Sequence, residues 1–321
     1  MMCSFAHFET AVTHYSKGGA IYAKGNVTLT NSVVENSYVS GAVGALGGGT
    51  YALGNVYMTN SIVSGNSAIA TAGNLQASGG GIYARKGLIA TYSSISNNYA
   101  SSNGGGIFLR GGGKVYIQYS TISGNRVDSG SGSGLDVDLL YEDIVNIQNS
   151  TISGNSGVGA ALNTLTYTTI SNSTIAFNKA TSAFNVPAGL FSLESITMQS
   201  TIFANNIGAS GGEYDVQSLV GLTGANNLIG ATHNTVPPGT LNSCPLLGPL
   251  ASNGGPTQTH ALLVGSPAIN AGNNISSLKG DQRGAGFIRV VGAKADIGAY
   301  ELQSGVTPDR IFASQFEGRC D

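Results

Sequence analysis

The chain has 321 residues, 48 of them glycine, about twice ordinary usage, and only 9% are charged where a globular domain carries roughly 25%. Apolar residues make up 41%, which excludes the low-hydrophobicity, high-charge signature of disorder. A net charge of −2 leaves no basic footprint for nucleic acid, and no apolar run nears the ~18 residues of a membrane helix. In chain order, residues 1–16 come first; they have neither the basic nor the apolar region of a signal peptide. They look like the lead-in to a coil already under way, as expected of a piece cut from a longer chain.

Two sequence units then alternate from about residue 17 to 230. One reads S-x-[IV]-x-x-N and begins at Ser61, Ser93, Ser120, Ser150, Ser173 and Ser200, with a degenerate copy at Ser32 and a fading one at Asn227. The other reads G-G-A-I-Y-A at 18–23, G-G-G-T-Y-A at 47–52, G-G-G-I-Y-A at 79–84 and G-G-G-I-F-L at 104–109, with weaker copies at 132–137, 157–162, 187–192 and 211–216. A strand-like apolar run separates them. The apolar pattern has period 2 and never sustains the helical 3.6. Three short strands in each ~28 residues, with no helix between, predict one coil of a parallel β-helix, about eight coils in all. Propeller blades need ~40 residues per repeat, and sandwiches do not repeat in this way. Ile82 and Ala84 should point inward; Tyr83, Asp136 and Asp215 should point outward. The Asn that closes each unit suits a left-handed corner.

After residue 230 the repeat stops, and six of the eight prolines fall between 237 and 267. Residues 231–301 are placed to cap the last coil, whose core and strand edge would otherwise be open, and 302–321 read as linker and tail. The segment carries L-G-P-L at 247–250, N-G-G-P-T at 253–257, T-H-A-L-L at 259–263, G-S-P-A-I at 265–269, D-Q-R-G at 281–284 and D-I-G-A-Y-E at 296–301. With the G-G-G-I-Y and S-T-I-S-G-N coils, these motifs resemble bacterial right-handed, pectate-lyase-like β-helix proteins that end in a choice-of-anchor Q domain. That resemblance implies an exported or cell-surface protein. It implies no catalytic residue. The tail at 311–318 is also similar, weakly, to short I-F-x-x-G-F-E tails of exported proteins.

Candidate chemistry is sparse. All four histidines (7, 14, 233, 260) and all three cysteines (3, 244, 320) lie outside the coils, and neither His233 nor His260 sits near a G-x-S-x-G elbow. A structural hydrogen bond is the expected role of His260, and Cys244–Cys320 is the candidate disulfide. Acidic residues concentrate at Asp128, Asp136, Asp138, Glu142 and Asp143. Asp136 and Asp138 are two apart on one strand, so both leave the same face about 7 Å apart; with Arg110 one coil away they are the catalytic candidates. The alternative is an exposed ion-pair ladder. An outward column of Tyr22, Tyr51, Tyr83 and Phe108, flanked by Lys24, Arg85 and Arg110, is the candidate platform for acidic glycans; rings that merely stack on one another are its alternative. The hydroxyl column of Ser94/Ser96, Thr121/Ser123, Thr151/Ser153 and Thr174/Ala176 admits ice binding as a remote reading.

These observations favour a non-catalytic, adhesin-like β-helix protein, monomeric, contacting extracellular glycan or a surface protein. A polysaccharide lyase or glycoside hydrolase on the same fold is the other class. No cofactor or metal is expected, and Ca²⁺ would enter only with a lyase.

Overall fold

A computed structural model of the chain describes residues 15–71, 76–138, 144–182 and 186–305, with strand backbone at Met2–Cys3 and Phe8–Glu9. Each coil contributes one strand to each of three parallel walls. The first wall stacks eight strands, from Ile21–Ala23 through Thr50–Ala52, Ile82–Ala84, Ile107–Arg110, Leu135–Asp138, Leu162–Thr164 and Leu190–Ser192 to Val216–Ser218. The second also stacks eight, from Val27–Thr30 to Leu222–Ala225. The third includes Val33–Glu35, Ser94–Ser96, Thr121–Ser123, Thr151–Ser153 and Ile202–Ala204 and ends at Leu228–Ile229. A narrower strip from Tyr38–Gly41 to Lys179–Ala180 closes the coil.

Alternation decides what fills the interior. Ile82, Ala84, Leu88, Ala90, Ile95, Ile107, Leu109, Val115, Ile117 and Ile122 form one continuous apolar stack, each with no exposed surface. Burial of a branched aliphatic side chain contributes about 1.5–3 kcal/mol, and every coil supplies several. The glycine runs answer to backbone proximity. Gly79 is left-handed (φ +68), and a Cβ on Gly80 would meet the carbonyl oxygen of Tyr99 at 2.2 Å.

The Ser and Asn of the repeat are buried ladders. Ser61, Ser93, Ser120, Ser150 and Ser173 each accept the backbone N–H of the Ser one coil earlier. Asn66, Asn98, Asn125, Asn155, Asn178 and Asn206 form a side-chain chain in which each Nδ2 donates to the next Oδ1, the last to Asp215. Such satisfied buried amides fix the register and stiffen the stack. The closing Asn is therefore not the left-handed residue. That conformation belongs to the position before it: Gly65, Asn97, Gly124, Gly154 and Phe177. The copy expected to begin at Ser200 is one residue out of register, because Thr174 pairs with Ile202; Thr201 and Asn206 take the places of the repeat Ser and closing Asn, and Asn205 is the left-handed residue before it.

Two weak copies of the glycine unit are displaced by two residues from their expected alignment. Leu162 and Val216 pair as the equivalents of Leu135 and Leu190, so Asn163 and Gln217 occupy the outward column. Asp215 is fully buried instead. A slip of two preserves the inside–outside alternation, so the pattern alone could not detect it.

The C-terminal segment does more than close the end. Thr232 and Leu241 pair with Val216 and Leu228 on the last coil. From there the chain turns back and lies along the outer face of the third wall, beginning with an antiparallel hairpin of Leu247–Ala251 and Thr259–Leu262. Leu247, Leu262, Ala268, Ile297 and Tyr300 join Ala176, Ile202, Ala204 and Leu228 in a second apolar cluster. Gln282 binds Thr121, Thr151 and Thr257 together. Asp281 and Arg283 form a buried ion pair at 2.6 Å, with the Arg283 guanidinium 4.0 Å from the centre of the Phe287 ring and 3.8 Å from that of Tyr300. The D-Q-R-G motif is thus a lateral latch.

Candidate functional site

The first wall holds the expected aromatic column. Tyr22, Tyr51, Tyr83 and Phe108 pair in register, coil by coil, and their ring centroids are 5.4, 5.0 and 5.4 Å apart. Their exposure corrects the expectation of a platform. Tyr51, Tyr83 and Phe108 are 3%, 4% and 4% exposed, and only Tyr22 is open, at 49%. The three rings form a small apolar cluster with Leu46, and Leu53 packs against it. Burial raises the pKa of both the Tyr51 and the Tyr83 phenol, opposed by the neighbouring positive charges of Arg85 and Arg110. Faces stacked on one another and covered at their edges cannot hold a sugar. Lys24, Arg85 and Arg110 are exposed beside them.

The same column continues into Asp136, which pairs with Phe108 on one side and Asn163 on the other. Its carboxylate accepts Asn163 Nδ2 at 2.7 Å, and only 4% of the residue is exposed. Burial, reinforced by Asp138 and opposed by the Asn163 bond, pushes its pKa up to about 7. Asp138 pairs with Arg110 as the register requires, with Nε 3.8 Å from Oδ2 and both side chains about half exposed. The two carboxyls leave the same face, yet one is sealed and the other lies in solvent, so they do not make an open acid pair. Asp128 is engaged elsewhere, by Arg126 and Tyr99. Glu142 and Asp143 lie outside the described residues.

A feature the sequence reading missed sits at the corner between the second and third walls. The residue before each repeat Ser, or before Thr201 and Asn227 in the last two coils, is left-handed there: Asn31, Asn60, Asn149, Asn172, Ser200 and Asn226 in six coils, but Tyr92 and Tyr119 in two adjacent ones. These tyrosines stack at 4.7 Å and border a cleft of about 240 Å³ whose other walls are Lys279, Gly280, Gly284–Ile288 of the folded-back segment. The signal was present in the sequence, as Y-S where the other coils have mostly N-S.

A family model described as a right handed beta helix region matches residues 14–206. The chain belongs to that right-handed β-helix family. No curated protein and no solved structure matches it.

The remaining candidates in this β-helix are mostly structural. Thr121, Thr151, Ser153 and Thr174 are buried beneath the folded-back segment, bonded to Gln258, Gln282, His260 and Ala299. That cover removes the flat hydroxyl face that ice binding requires. His260 is enclosed between Ser153 Oγ at 2.8 Å and the Gly248 carbonyl at 2.7 Å, and packs against Phe177. Burial lowers its pKa to about 4, so its neutral ring is a hydrogen-bonded strut. His233 tilts against Tyr214 beside a second cleft at the end of the solenoid. Cys244 is disulfide-bonded; Cys320, its expected partner, lies outside the described residues. Among the described residues, no three His, Cys, Asp or Glu side chains gather as a metal would need, and no helix is long and apolar enough to cross a membrane.

Proposed function

We propose that this β-helix is a non-catalytic, exported or cell-surface protein whose solenoid is a rigid stalk contacting extracellular glycan or a surface protein. The observation that carries the proposal is the divided fate of Asp136 and Asp138. A lyase or hydrolase would need its ionisable pair to face one substrate across an open groove. Here Asp136 is covered and bonded to Asn163, while Asp138 faces Arg110 in solvent. The competing enzymatic reading has one observation in its favour: a carboxyl with its pKa near 7 beside a second carboxyl is the arrangement of a general acid and its partner.

Cleavage assays decide between the two. Uronate-containing and neutral polysaccharides are incubated with the parent chain and with the Asp136→Asn/Asp138→Asn double variant, with and without Ca²⁺. The expected outcome is no chain shortening by either protein. Cleavage by the parent that disappears in the double variant would overturn the proposal.

A further inference from the structure

The corner between the first and second walls changes chemistry halfway along the solenoid. With coils counted from the one that holds Ile21–Ala23, the first-wall register puts one outward residue per coil in a single column. It reads Lys24, Leu53, Arg85 and Arg110 in coils one to four, then Asp138, Leu165, Leu193 and Leu219 in coils five to eight. Lys86 and Lys114 join the first half, so five of the fourteen Lys and Arg lie there, all exposed, and no residue of 24–26, 53–55, 85–87 or 110–114 is acidic. The second half adds Ile144, Tyr167 and Val220. Among the described residues thirteen large apolar side chains are exposed, and five of them, Ile144, Tyr167, Leu193, Leu219 and Val220, share this half-corner at 39–65% exposure. Three coil spacings hold all five within about 14 Å. Single exposed apolar residues need no explanation, but a contiguous run marks an interaction surface. Asp138 and Glu194 are the acids described beside it.

We propose that a second copy of this chain lies antiparallel along this corner, the apolar half of each copy on the cationic half of the other. Such pairing lies beyond contact with glycan or a surface protein, and it differs from the monomer expected from sequence. Charge selects the arrangement. Parallel packing would set Arg85 and Arg110 against their own counterparts. Sliding the two apolar halves onto each other would bring Glu194 against the partner's Glu194. Juxtaposed like charges disfavour both. With a twofold axis between coils four and five, Arg110 meets the partner's Asp138, Arg85 and Lys86 meet the partner's Tyr167, and Leu53 meets the partner's Leu193. These are an ion pair, a cation–π contact and an apolar contact, each made twice. Within one chain Arg110 and Asp138 are 3.8 Å apart and both about half exposed, which leaves each free to bond across the interface. An anionic phospholipid surface fits less well, because Asp138 and Glu194 stand where the apolar half would enter it.

The area suffices for a weak dimer. Eight coils span about 34 Å, and the corner with half of each adjoining wall is about 24 Å wide. That strip approaches the roughly 800 Å² per partner of a standard interface. Much of it is charged and solvated, so a Kd on the order of 10 μM is expected.

Sedimentation equilibrium of the full chain, from about 1 μM to 1 mM, should show a monomer–dimer equilibrium. Leu193→Glu, Arg110→Asp and Asp138→Arg should each weaken it about tenfold or more, with melting temperature read in parallel and little changed, since all three side chains are at the surface. The double variant Arg110→Asp/Asp138→Arg exchanges the two charges. It should dimerise with itself as the parent does and fail to pair with fluorescently labelled parent, because only antiparallel copies set these two positions against each other. A parent that stays monomeric to about 1 mM would overturn the proposal. A dimer that all three single variants retain would place the interface elsewhere and overturn it too. A double variant that pairs with the parent and not with itself would overturn the antiparallel arrangement. A monomeric parent that sediments with vesicles of phosphatidylglycerol and phosphatidylcholine, and loses them on Leu193→Glu, would give the corner to a bilayer instead.

Discussion

Two aromatic columns run along this β-helix, and they end differently. Tyr51, Tyr83 and Phe108 lie within strands of the first wall, in extended backbone, with their rings stacked and covered. Tyr92 and Tyr119 lie at a corner, in left-handed backbone, partly buried beside a cleft. Both arise from the same arithmetic, because one residue per coil places rings about 4.8 Å apart. The strand column is made of residues a sheet favours, and its burial repays their ordering. The corner column gains less from burial and bears conformational cost. Repetition of a ring in a solenoid is thus no guide to function; the backbone conformation and the neighbouring cover are.

The largest test concerns what builds the cleft. Arg283 is 2% exposed, paired with Asp281 and stacked on Phe287. Arg283→Ala leaves Asp281 buried and uncompensated, which should cost about 3–5 kcal/mol, measured by denaturant unfolding. Phe287 then loses its support, so the corner cleft should disappear while the first-wall column stays intact. A loss below about 1 kcal/mol would mean that the latch does not hold the folded-back segment. Next comes Tyr83→Ala, which removes the middle of the buried stack and should cost about 3 kcal/mol. Tyr22→Ala, at the open end, should cost well under half of that. Equal losses at the two positions would erase the distinction between buried and exposed rings.

The register of both columns is legible in the sequence, since period-2 alternation and the S-x-[IV]-x-x-N spacing align equivalent residues. The pairing of Arg110 with Asp138 and the succession Tyr22, Tyr51, Tyr83, Phe108 follow from it. What alternation cannot encode is the outside. It separates core from non-core, and "non-core" does not mean solvent when another segment lies above. Thr151 and Ser153 have the small polar character of a surface, yet they are buried because Gln282 and His260 bond to them. Those partners lie more than 100 residues away, beyond any local pattern. Tyr92 and Tyr119 escaped notice for the opposite reason: a residue preceding the repeat Ser reads as linker until its φ is known.

Titration sharpens the contrast between the first wall and the folded-back segment. Asp136 extends the aromatic column, and its pKa rises from 3.8 to about 7 in the fold. Its ionisation penalty is full above pH 7 and fades as the pH falls toward 3.8. His260 has the reverse sign: its pKa falls from 6.5 to about 4, so its contribution is present above pH 6.5 and is lost as the pH falls through 4. The two trends oppose each other between pH 7 and 5. Unfolding free energies over that interval should show Asp136→Asn losing about 2 kcal/mol relative to the parent, and His260→Gln gaining about as much. Parallel curves for parent and Asp136→Asn would show that this carboxyl is already ionised, and solvated, in the folded chain.

The smallest effect is the most discriminating. A non-glycine residue with φ near +50 bears a strain of roughly 1 kcal/mol, and Asn bears less because its short amide tolerates the conformation. Tyr119→Asn therefore relieves strain and removes one ring–ring contact worth about 0.5–1.5 kcal/mol. The two contributions nearly cancel, so the stability change should lie within about 0.5 kcal/mol of zero. Tyr92→Asn should fall in the same range, less the contact of its ring with Gly284. In the first wall no such relief exists, because Tyr83 sits in ordinary strand geometry and Tyr83→Asn would put an unsatisfied amide among rings. Melting curves for Tyr83→Asn and Tyr119→Asn thus compare the same chemical change in the two columns. A clear drop for Tyr83→Asn beside an unchanged Tyr119→Asn is the expected result; matching drops would mean that the corner pair, too, is held for packing.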